Sequence, residues 1–138
     1  MSNQLYPSFK EALLRAFFLG ESFPNDVNIL VALVGDGYTY DSSHSTLADV
    51  VDVIAAVPIP DVTISSLAVV DAPDMVPAFT ELDTGDNVKA LVLYAEDSVS
   101  NDTQLIGYMD SAVQGSIPFV ISQDELIIRW PSGGIFGI

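Results

Sequence analysis

The chain has 138 residues, 49% of them hydrophobic and 17% charged, so it can bury the core of one domain. Its 19 acidic residues against 4 basic ones give a formal net charge of −15. This balance argues against direct binding to nucleic acid or to an anionic membrane surface, because both need clustered Lys and Arg. The lack of cysteine excludes disulfides, thiolate metal sites and cysteine nucleophiles.

Targeting and membrane-spanning patterns are not evident in the sequence. No basic segment followed by an apolar run and a small-residue cleavage site begins the chain, so we expect no secretory signal. The longest apolar runs, such as residues 27–34, are far shorter than the ~20 residues of a membrane-spanning helix. We therefore expect a single β-rich domain over residues 1–138 and no membrane partner.

The N-terminal region is predicted to contain a flexible arm, residues 1–7, and then a helix over residues 8–19. Ser8 suits the N-cap position with Glu11 three residues later, and Gly20 is placed to end the helix. The apolar stripe is wider than one packing surface needs and comprises Phe9, Leu13, Leu14, Ala16, Phe17 and Phe18. We expect the helix to cover a sheet; the alternative is that the helix or the arm is shared with a neighbouring subunit.

Residues 27–34 form the clearest predicted strand, apolar on both faces as a central strand requires. Thr46 or Ser45 is expected to cap a short helical turn over residues 47–51. Further strand-like runs, several marked as edges by proline, are residues 53–57, 62–70, 74–80, 117–121 and 125–130. Residues 111–116 and 131–134 are predicted to be a loop and a turn.

A β-hairpin is predicted from residues 88–94 and 105–109, which flank a polar loop of about ten residues. The apolar tail, residues 135–138, is expected to pair with residues 126–130. Together these elements predict a mainly β fold. The expected architecture is an antiparallel β-sandwich or barrel-like domain with one N-terminal helix and a short helical turn.

His44 is the only histidine, and its neighbours Asp41, Ser42, Ser43 and Ser45 raise the possibility of a hydrolase. A nucleophile-elbow motif, Gly-x-Ser-x-Gly, is absent from the sequence. A histidine among hydroxyl side chains is typical of hydrogen bonding within a loop, and that interpretation is favoured.

Carboxylates and aromatic residues offer two further candidate sites. Residues 83–87 and 96–102 contain oxygen ligands for a hard cation, but neither has the spacing of a helix-loop-helix calcium loop. Solvated turns are the favoured interpretation, and a carboxylate pair for glycoside hydrolysis stays open among the 19 acids. Four aromatic residues could line a sugar-binding platform, but a place in the core is the favoured interpretation; they are Tyr94, Tyr108, Trp130 and Phe136. We assign no catalytic, cofactor-binding or metal-binding residue.

One ordered set of segments extends over nearly the whole chain. It comprises Val27-Asn28-Ile29-Leu30-Val31-Ala32-Leu33, Tyr38-Thr39-Tyr40-Asp41 with His44, Leu47-Ala48-Asp49-Val50, Val69-Val70-Asp71-Ala72-Pro73-Asp74-Met75-Val76, Phe79-Thr80, Lys89-Ala90-Leu91-Val92-Leu93-Tyr94, Leu105-Ile106-Gly107-Tyr108-Met109-Asp110, Leu126-Ile127-Ile128-Arg129-Trp130 and Gly134-Ile135-Phe136. With the N-terminal helix, this set resembles a family of small structural proteins of tailed bacteriophages.

The resemblance implies a non-enzymatic virion protein without a cofactor. The implied role is that of a capsid decoration, or cement, protein that binds the outer surface of the phage head and stabilises it. The implied partners are the major capsid protein and further copies of the chain, as a trimer, on the virion surface. The alternatives are a tail, baseplate or head-fibre subunit that binds a receptor or glycan, a binding module outside any virus and, more distantly, a hydrolase using acidic residues or His44.

Overall fold

Antiparallel strands dominate the computed structural model, which describes residues 3–20, 27–65, 69–110, 117–130 and 134–137. Strands account for 42% of the described residues and helical segments for 14%. The prediction of a mainly β fold with one helix and one short helical turn is therefore confirmed. The loop predicted at residues 111–116 and most of the turn predicted at residues 131–134 lie outside the described residues.

One α-helix, a 3-10 turn and twelve strands follow one another along the described chain. They are β1 (Gln4–Leu5), α1 (Pro7–Leu19), β2 (Val27–Val34), the 3-10 turn (Leu47–Asp49), β3 (Val53–Pro58), β4 (Thr63–Ile64), β5 (Val69–Asp71), β6 (Met75–Phe79), β7 (Asn87–Val88), β8 (Ala90–Asp97), β9 (Thr103–Met109), β10 (Phe119–Val120), β11 (Leu126–Ile128) and β12 (Phe136–Gly137).

The main sheet has five antiparallel strands in the order β1-β9-β8-β2-β3. This order confirms both the interior position of β2 and the antiparallel pairing of the predicted hairpin, which is β8 with β9. The predicted ten-residue loop is wrong, because β8 continues to Asp97 and leaves only residues 98–102 between the strands. The Asp97 carboxylate ends the strand by accepting hydrogen bonds from the amides of Val99 (2.8 Å) and Ser100 (3.2 Å).

Three smaller sheets pair β10 with β7, β11 with β6, and β12 with β5 and β4. The C-terminal tail therefore does not pair with residues 126–130, and that prediction is wrong. The edge of β11 is already used by β6, with Leu126 opposite Phe79, and β12 pairs with β5 through Phe136 and Val70. Pairing depends on which edge is vacant in the folded molecule, so apolar character alone did not identify the partner.

The N-terminal segment is not a loose arm over the residues that the structure describes. Gln4 and Leu5 pair with Tyr108 and Gly107 of β9, and the Tyr6 side chain is fully buried. A strand edge and a buried aromatic ring tie down a terminus that would otherwise be mobile.

The helix begins at Pro7, one residue before the predicted start, because proline is well suited to the first helical position. Tyr6 takes the N-cap position and gives no side-chain cap. The capping box predicted for Ser8 and Glu11 is therefore wrong. Glu11 pairs with Arg15 instead, at 2.9 Å. The C-terminal end is as predicted, since Gly20 adopts a left-handed conformation with φ of 65°.

The helical turn covers only Leu47–Asp49, shorter than the predicted residues 47–51, and of the two predicted caps it uses Thr46. The Thr46 side chain accepts from the Asp49 amide while the Asp49 carboxylate accepts from the Thr46 amide, which is a complete capping box.

Two separate apolar clusters lie on the two faces of the main sheet, because side chains of a strand alternate between faces. On β2, Val31 and Leu33 belong to one cluster, and Ala32 and Val34 belong to the other. The first cluster is covered by α1 and by residues of the smaller sheets, including Phe9, Met75, Phe79, Ile121, Ile128 and Trp130. The second is covered by Tyr6 and by part of the segment between β2 and β3, with Tyr38, Tyr40, Leu47 and Val50.

Candidate functional site

All five tyrosines of the chain lie on one face of the main sheet. Tyr6, Tyr38, Tyr94 and Tyr108 are buried there, and Tyr40 packs against them. The Tyr40 ring lies 5.1 Å from that of Tyr6 and 5.4 Å from that of Tyr108. We call this side of the molecule the tyrosine face.

A chain of hydrogen bonds connects the tyrosine face to His44. The Tyr6 and Tyr38 hydroxyl oxygens are 2.6 Å apart, and the Tyr38 hydroxyl is 2.9 Å from Nδ1 of His44. The Lys89 ammonium group donates to the Tyr38 carbonyl oxygen at 2.8 Å. Burial raises the pKa of Tyr6, of Tyr38 and of Tyr108, so these phenols stay neutral and act as hydrogen-bonding groups.

Asp41, Ser43 and Ser45, which the hydrolase hypothesis places near His44, form hydrogen bonds within the turn that contains His44. Asp41 accepts from the amide and the hydroxyl of Ser43 at 2.8 and 2.7 Å, and the Ser43 hydroxyl and amide lower the pKa of Asp41. The Asp49 carboxylate accepts from the amide of Ser45 at 2.9 Å.

The neighbour of the His44 ring differs from the serine that the hydrolase hypothesis requires. Nδ1 of His44 is hydrogen-bonded to the Tyr38 hydroxyl, and the Ser8 hydroxyl donates to the His44 backbone oxygen (3.1 Å). A serine nucleophile would instead donate its proton to an imidazole nitrogen. The loop hydrogen-bonding interpretation of His44 is confirmed by these contacts.

The candidate cation ligands do not come together. Among the residues that the structure describes, no group of three or more His, Cys, Asp or Glu side chains is placed to hold a metal ion. The Asp97 carboxylate caps the β8–β9 turn, and the segment before β7 is held by the Gly85 amide, which donates to the Ile121 carbonyl at 2.8 Å.

An acidic cavity of about 380 Å³ is lined by Gly35, Asp36, Asp52, Ile54, Asp86 and Asn87. Asp52 is held in place there, because its carboxylate accepts from the Gly37 amide (2.8 Å) and its carbonyl from the Gly35 amide (3.0 Å). A Cβ atom at Gly35 would collide with the Asp52 carboxylate, so a larger residue there would have to displace that carboxylate. The Gly-Asp-Gly turn thus binds a carboxylate of its own chain.

The four aromatic residues of the predicted sugar platform are divided between the two faces of the sheet. Tyr94 and Tyr108 are buried in the tyrosine face, and Trp130 is buried on the opposite side. Phe136 packs edge-on against Phe9, with ring centroids 6.1 Å apart. The core interpretation of these residues is confirmed.

The C-terminal half of α1 presents large apolar side chains to solvent. The exposed fractions are 58% for Leu14, 81% for Phe17, 72% for Phe18 and 65% for Leu19. We call these four residues the helix patch. The Phe17 and Phe18 rings pack edge to face, with their centroids 5.0 Å apart. The buried residue of the helix is Phe9, which contacts the core. The wide stripe in the sequence indicated surplus apolar surface, but it did not identify which half faces outward.

Two further observations bear on function. None of the helices in the described ranges is long and apolar enough to cross a membrane. Comparisons of the chain with protein-family models, with curated proteins and with solved structures found no match.

Proposed function

We propose that the chain is a non-enzymatic virion structural protein, namely a decoration protein that binds the outer surface of a phage head and stabilises it. Its proposed partners are the major capsid protein and further copies of itself, in a trimer on the capsid surface. The single observation that carries the proposal is the helix patch, because exposed groups of large apolar residues mark surfaces that bind other proteins.

The two aromatic residues of the helix patch strengthen this argument. Phenylalanine is enriched in the cores of protein interfaces, and burying aromatic side chains supplies much of the binding energy there. Phe17 and Phe18 point away from the core of their own chain, so their apolar surface is left for a partner.

The family resemblance supports the viral setting of the proposal. The segments that carry it include β2, β8 and β9 of the main sheet, the loop between β2 and β3, and strands of the smaller sheets. The acidity of the chain supports an outer position, because a charge of −15 disfavours contact with packaged DNA. The His44 ring and the carboxylates of Asp41 and Asp52 are engaged in hydrogen bonds that shape loops, which agrees with a non-enzymatic role.

The test is to analyse purified particles of the phage that encodes this chain by mass spectrometry and cryo-electron microscopy. We expect the protein in the particles and its density on the outer head surface. Phage carrying Phe17→Ser and Phe18→Ser should have fewer copies per particle and heads that are less resistant to heating. Val99→Ser, at an exposed valine of the β8–β9 turn, is the matched control and should match the wild type.

Three results would contradict the proposal in different ways. Absence of the protein from particles would reject a virion role altogether. Density confined to the tail, baseplate or fibres would replace decoration with the tail or fibre role. Loss of a measurable turnover on His44→Ala would point to a hydrolase.

A further inference from the structure

We propose that the helix patch of one copy binds the outer face of the β6–β11 sheet of a second copy, so that copies associate head to tail. The inference rests on the proposed function as an assembly protein and identifies the self-association surface. Three features of the described residues carry it, namely charge, exposed apolar surface, and the positions of the two surfaces on the main sheet.

The first feature is the charge of α1. Lys10, Arg15 and Glu11 give α1 a formal charge of +1, so the rest of the chain carries −16. Two of the four basic residues are in α1; Lys89 lies between β7 and β8, and Arg129 directly follows β11. Lys10 lies one helical turn before Leu14, at the border of the helix patch, and Glu11 lies beside it but is paired with Arg15 at 2.9 Å. The border of the patch therefore has a net charge of +1. Complementary charge directs such a surface to an acidic partner.

The second feature is a matching surface on the same chain, the outer face of the β6–β11 sheet. Val76 and Ile127 are exposed there, at 59% and 48%. Three exposed carboxylates lie next to them in the chain, Glu81 just after β6 and Asp124 and Glu125 just before β11. Arg129, directly after β11, is paired with Asp74 at 3.4 Å, so it leaves this surface with a net negative charge. An exposed apolar surface with a net acidic rim is the complement of the helix patch, and every further copy of the chain supplies one.

The third feature is the position of the two surfaces. The helix packs on β9, and β6 packs beside β3. In the order β1-β9-β8-β2-β3 these strands lie near opposite edges of the main sheet. A contact between them joins two different surfaces of neighbouring copies. Such heterologous contacts close into rings or extend into filaments, and a closed ring of three is the trimer of the proposed function.

The first experiment measures the mass of the purified full-length protein by sedimentation and light scattering. The wild type should have a multiple of the 14.8 kDa chain mass. The helix variant, Phe17→Ser with Phe18→Ser, and the sheet variant, Val76→Ser with Ile127→Ser, should each be monomers. Val99→Ser should associate like the wild type. Circular dichroism and urea unfolding verify that each variant is folded.

Mixing the two monomeric variants is the decisive step. The helix variant keeps an intact β6–β11 surface and the sheet variant keeps an intact helix patch, so the mixture retains one functional interface. A dimer of one copy of each is expected, with twice the mass of the chain. A helix-to-helix contact predicts the opposite result, because the sheet variant would then associate by itself and mixing would restore nothing.

Cross-linking of the wild type gives a test that does not depend on variants. A carbodiimide joins an amine directly to a carboxylate in contact with it. We expect linkage between Lys10 of one copy and Asp124 or Glu125 of another, identified by mass spectrometry of a mixture of isotope-labelled and unlabelled protein.

The outcomes separate this inference from the proposed function. A monomeric wild type, a self-associating sheet variant, or Lys10 linked between copies only to other carboxylates would overturn head-to-tail docking. A protein that is present on phage heads but is monomeric in solution and on the particle would refute the docking and leave the decoration role standing. A head-to-tail oligomer that is absent from particles would refute the decoration role and leave the docking standing.

Discussion

The two faces of the main sheet are covered by different chemistry. On one face, helix α1 and the smaller sheets contribute aliphatic side chains, Phe9, Phe79 and Trp130, and no tyrosine. On the other face, the N-terminal segment and a single loop contribute Tyr6, Tyr38 and Tyr40. The hydroxyl groups of Tyr6 and Tyr38 are hydrogen-bonded to each other, and that of Tyr38 also to His44. The first covering is built from many elements, and the second from only two short segments.

This difference implies two kinds of stabilisation. Apolar contacts are non-directional and scale with the area buried, so the first face depends mainly on volume. The tyrosine face also depends on hydrogen bonds between buried groups, which stabilise only when each partner is present. The tyrosine face should therefore respond to pH and to the loss of single oxygen atoms, and the other face to cavities.

Alkaline pH should give the largest effect and should act through the tyrosine face. Burial raises the pKa of the tyrosines, so the unfolded chain ionises near 10.0 while the folded chain stays neutral. Stability is therefore complete below pH 10 and is lost as the pH rises above it. Each tyrosine that stays neutral in the folded chain contributes at most about 1.4 kcal/mol per pH unit above its ordinary pKa, so the loss at pH 11 is at most about 6 kcal/mol for the four buried tyrosines. Urea unfolding between pH 8 and pH 11 measures the loss.

The matched variant for this measurement is Tyr108→Phe, which removes one ionisable group from the tyrosine face. Because burial raises the pKa of Tyr108, the variant's loss of stability between pH 9 and pH 11 should be smaller than that of the wild type. An equal loss in both proteins would show that the tyrosines do not set the alkaline limit.

A cavity in the opposite face should have the next largest effect. Phe79 is 2% exposed, so Phe79→Ala removes a ring that neighbouring side chains cannot fully replace. We expect the free energy of unfolding to fall by about 3–5 kcal/mol in urea titrations. Val99→Ala, at an 85% exposed position, should change it by less than about 0.5 kcal/mol. Similar losses for the two variants would argue against a well-packed core on this face.

Removal of single hydroxyl groups tests the hydrogen-bond chain. Tyr38→Phe leaves the buried Tyr6 hydroxyl without its partner, and we expect a loss of about 1–3 kcal/mol in the free energy of unfolding. Tyr6→Phe should cost less, about 0.5–1.5 kcal/mol, because Tyr38 keeps its bond to His44. The double variant should lose less than the sum of the two. Strict additivity would show that the two hydroxyls act independently.

The smallest effect is expected at the exposed capping box of the loop over the tyrosine face. Amide hydrogen bonds from Ser45 and Thr46 lower the pKa of Asp49 from its ordinary value of 3.8. The carboxylate therefore stabilises the fold above pH 3.8, and this contribution is lost as the pH falls through the lowered pKa. Asp49→Asn should be slightly less stable than the wild type at pH 7 and equally stable at pH 2 by urea unfolding. A difference that persists at pH 2 would exclude the carboxylate as its source.

Local patterns were sufficient to predict the interior strands and the capped turn. Continuous apolar, β-branched residues predicted β2 and the β8–β9 hairpin, because such runs suit a strand that is buried on both sides. Thr46 and Asp49 are three residues apart, which is the spacing of a capping box, and here the turn begins where that spacing requires. Each of these features depends on residues that are close in the sequence.

Features that depend on distant residues were not predicted. The pairing of β12 with β5 depends on which edges the other strands leave vacant. The tyrosine face joins Tyr6, Tyr38 and Tyr108, whose proximity is visible only once β1 has paired with β9. The hydrogen-bonding role of His44 was predicted, but its phenolic partner was not. The surplus apolar width of the helix was a usable signal for the helix patch.

The pairing of β1 with β9 also constrains how the molecule is made. The Asp110 amide is bonded to the Asn3 side chain, 107 positions earlier, and β1 lies along β9 beside this contact. During synthesis, Gln4 and Leu5 must therefore stay unpaired until Gly107 and Tyr108 of β9 have been made. Until then the tyrosine face lacks Tyr6 and the partner strand of β1 is missing. Closing contacts at long sequence separation slows folding, so the incomplete chain should be most prone to aggregation in this interval.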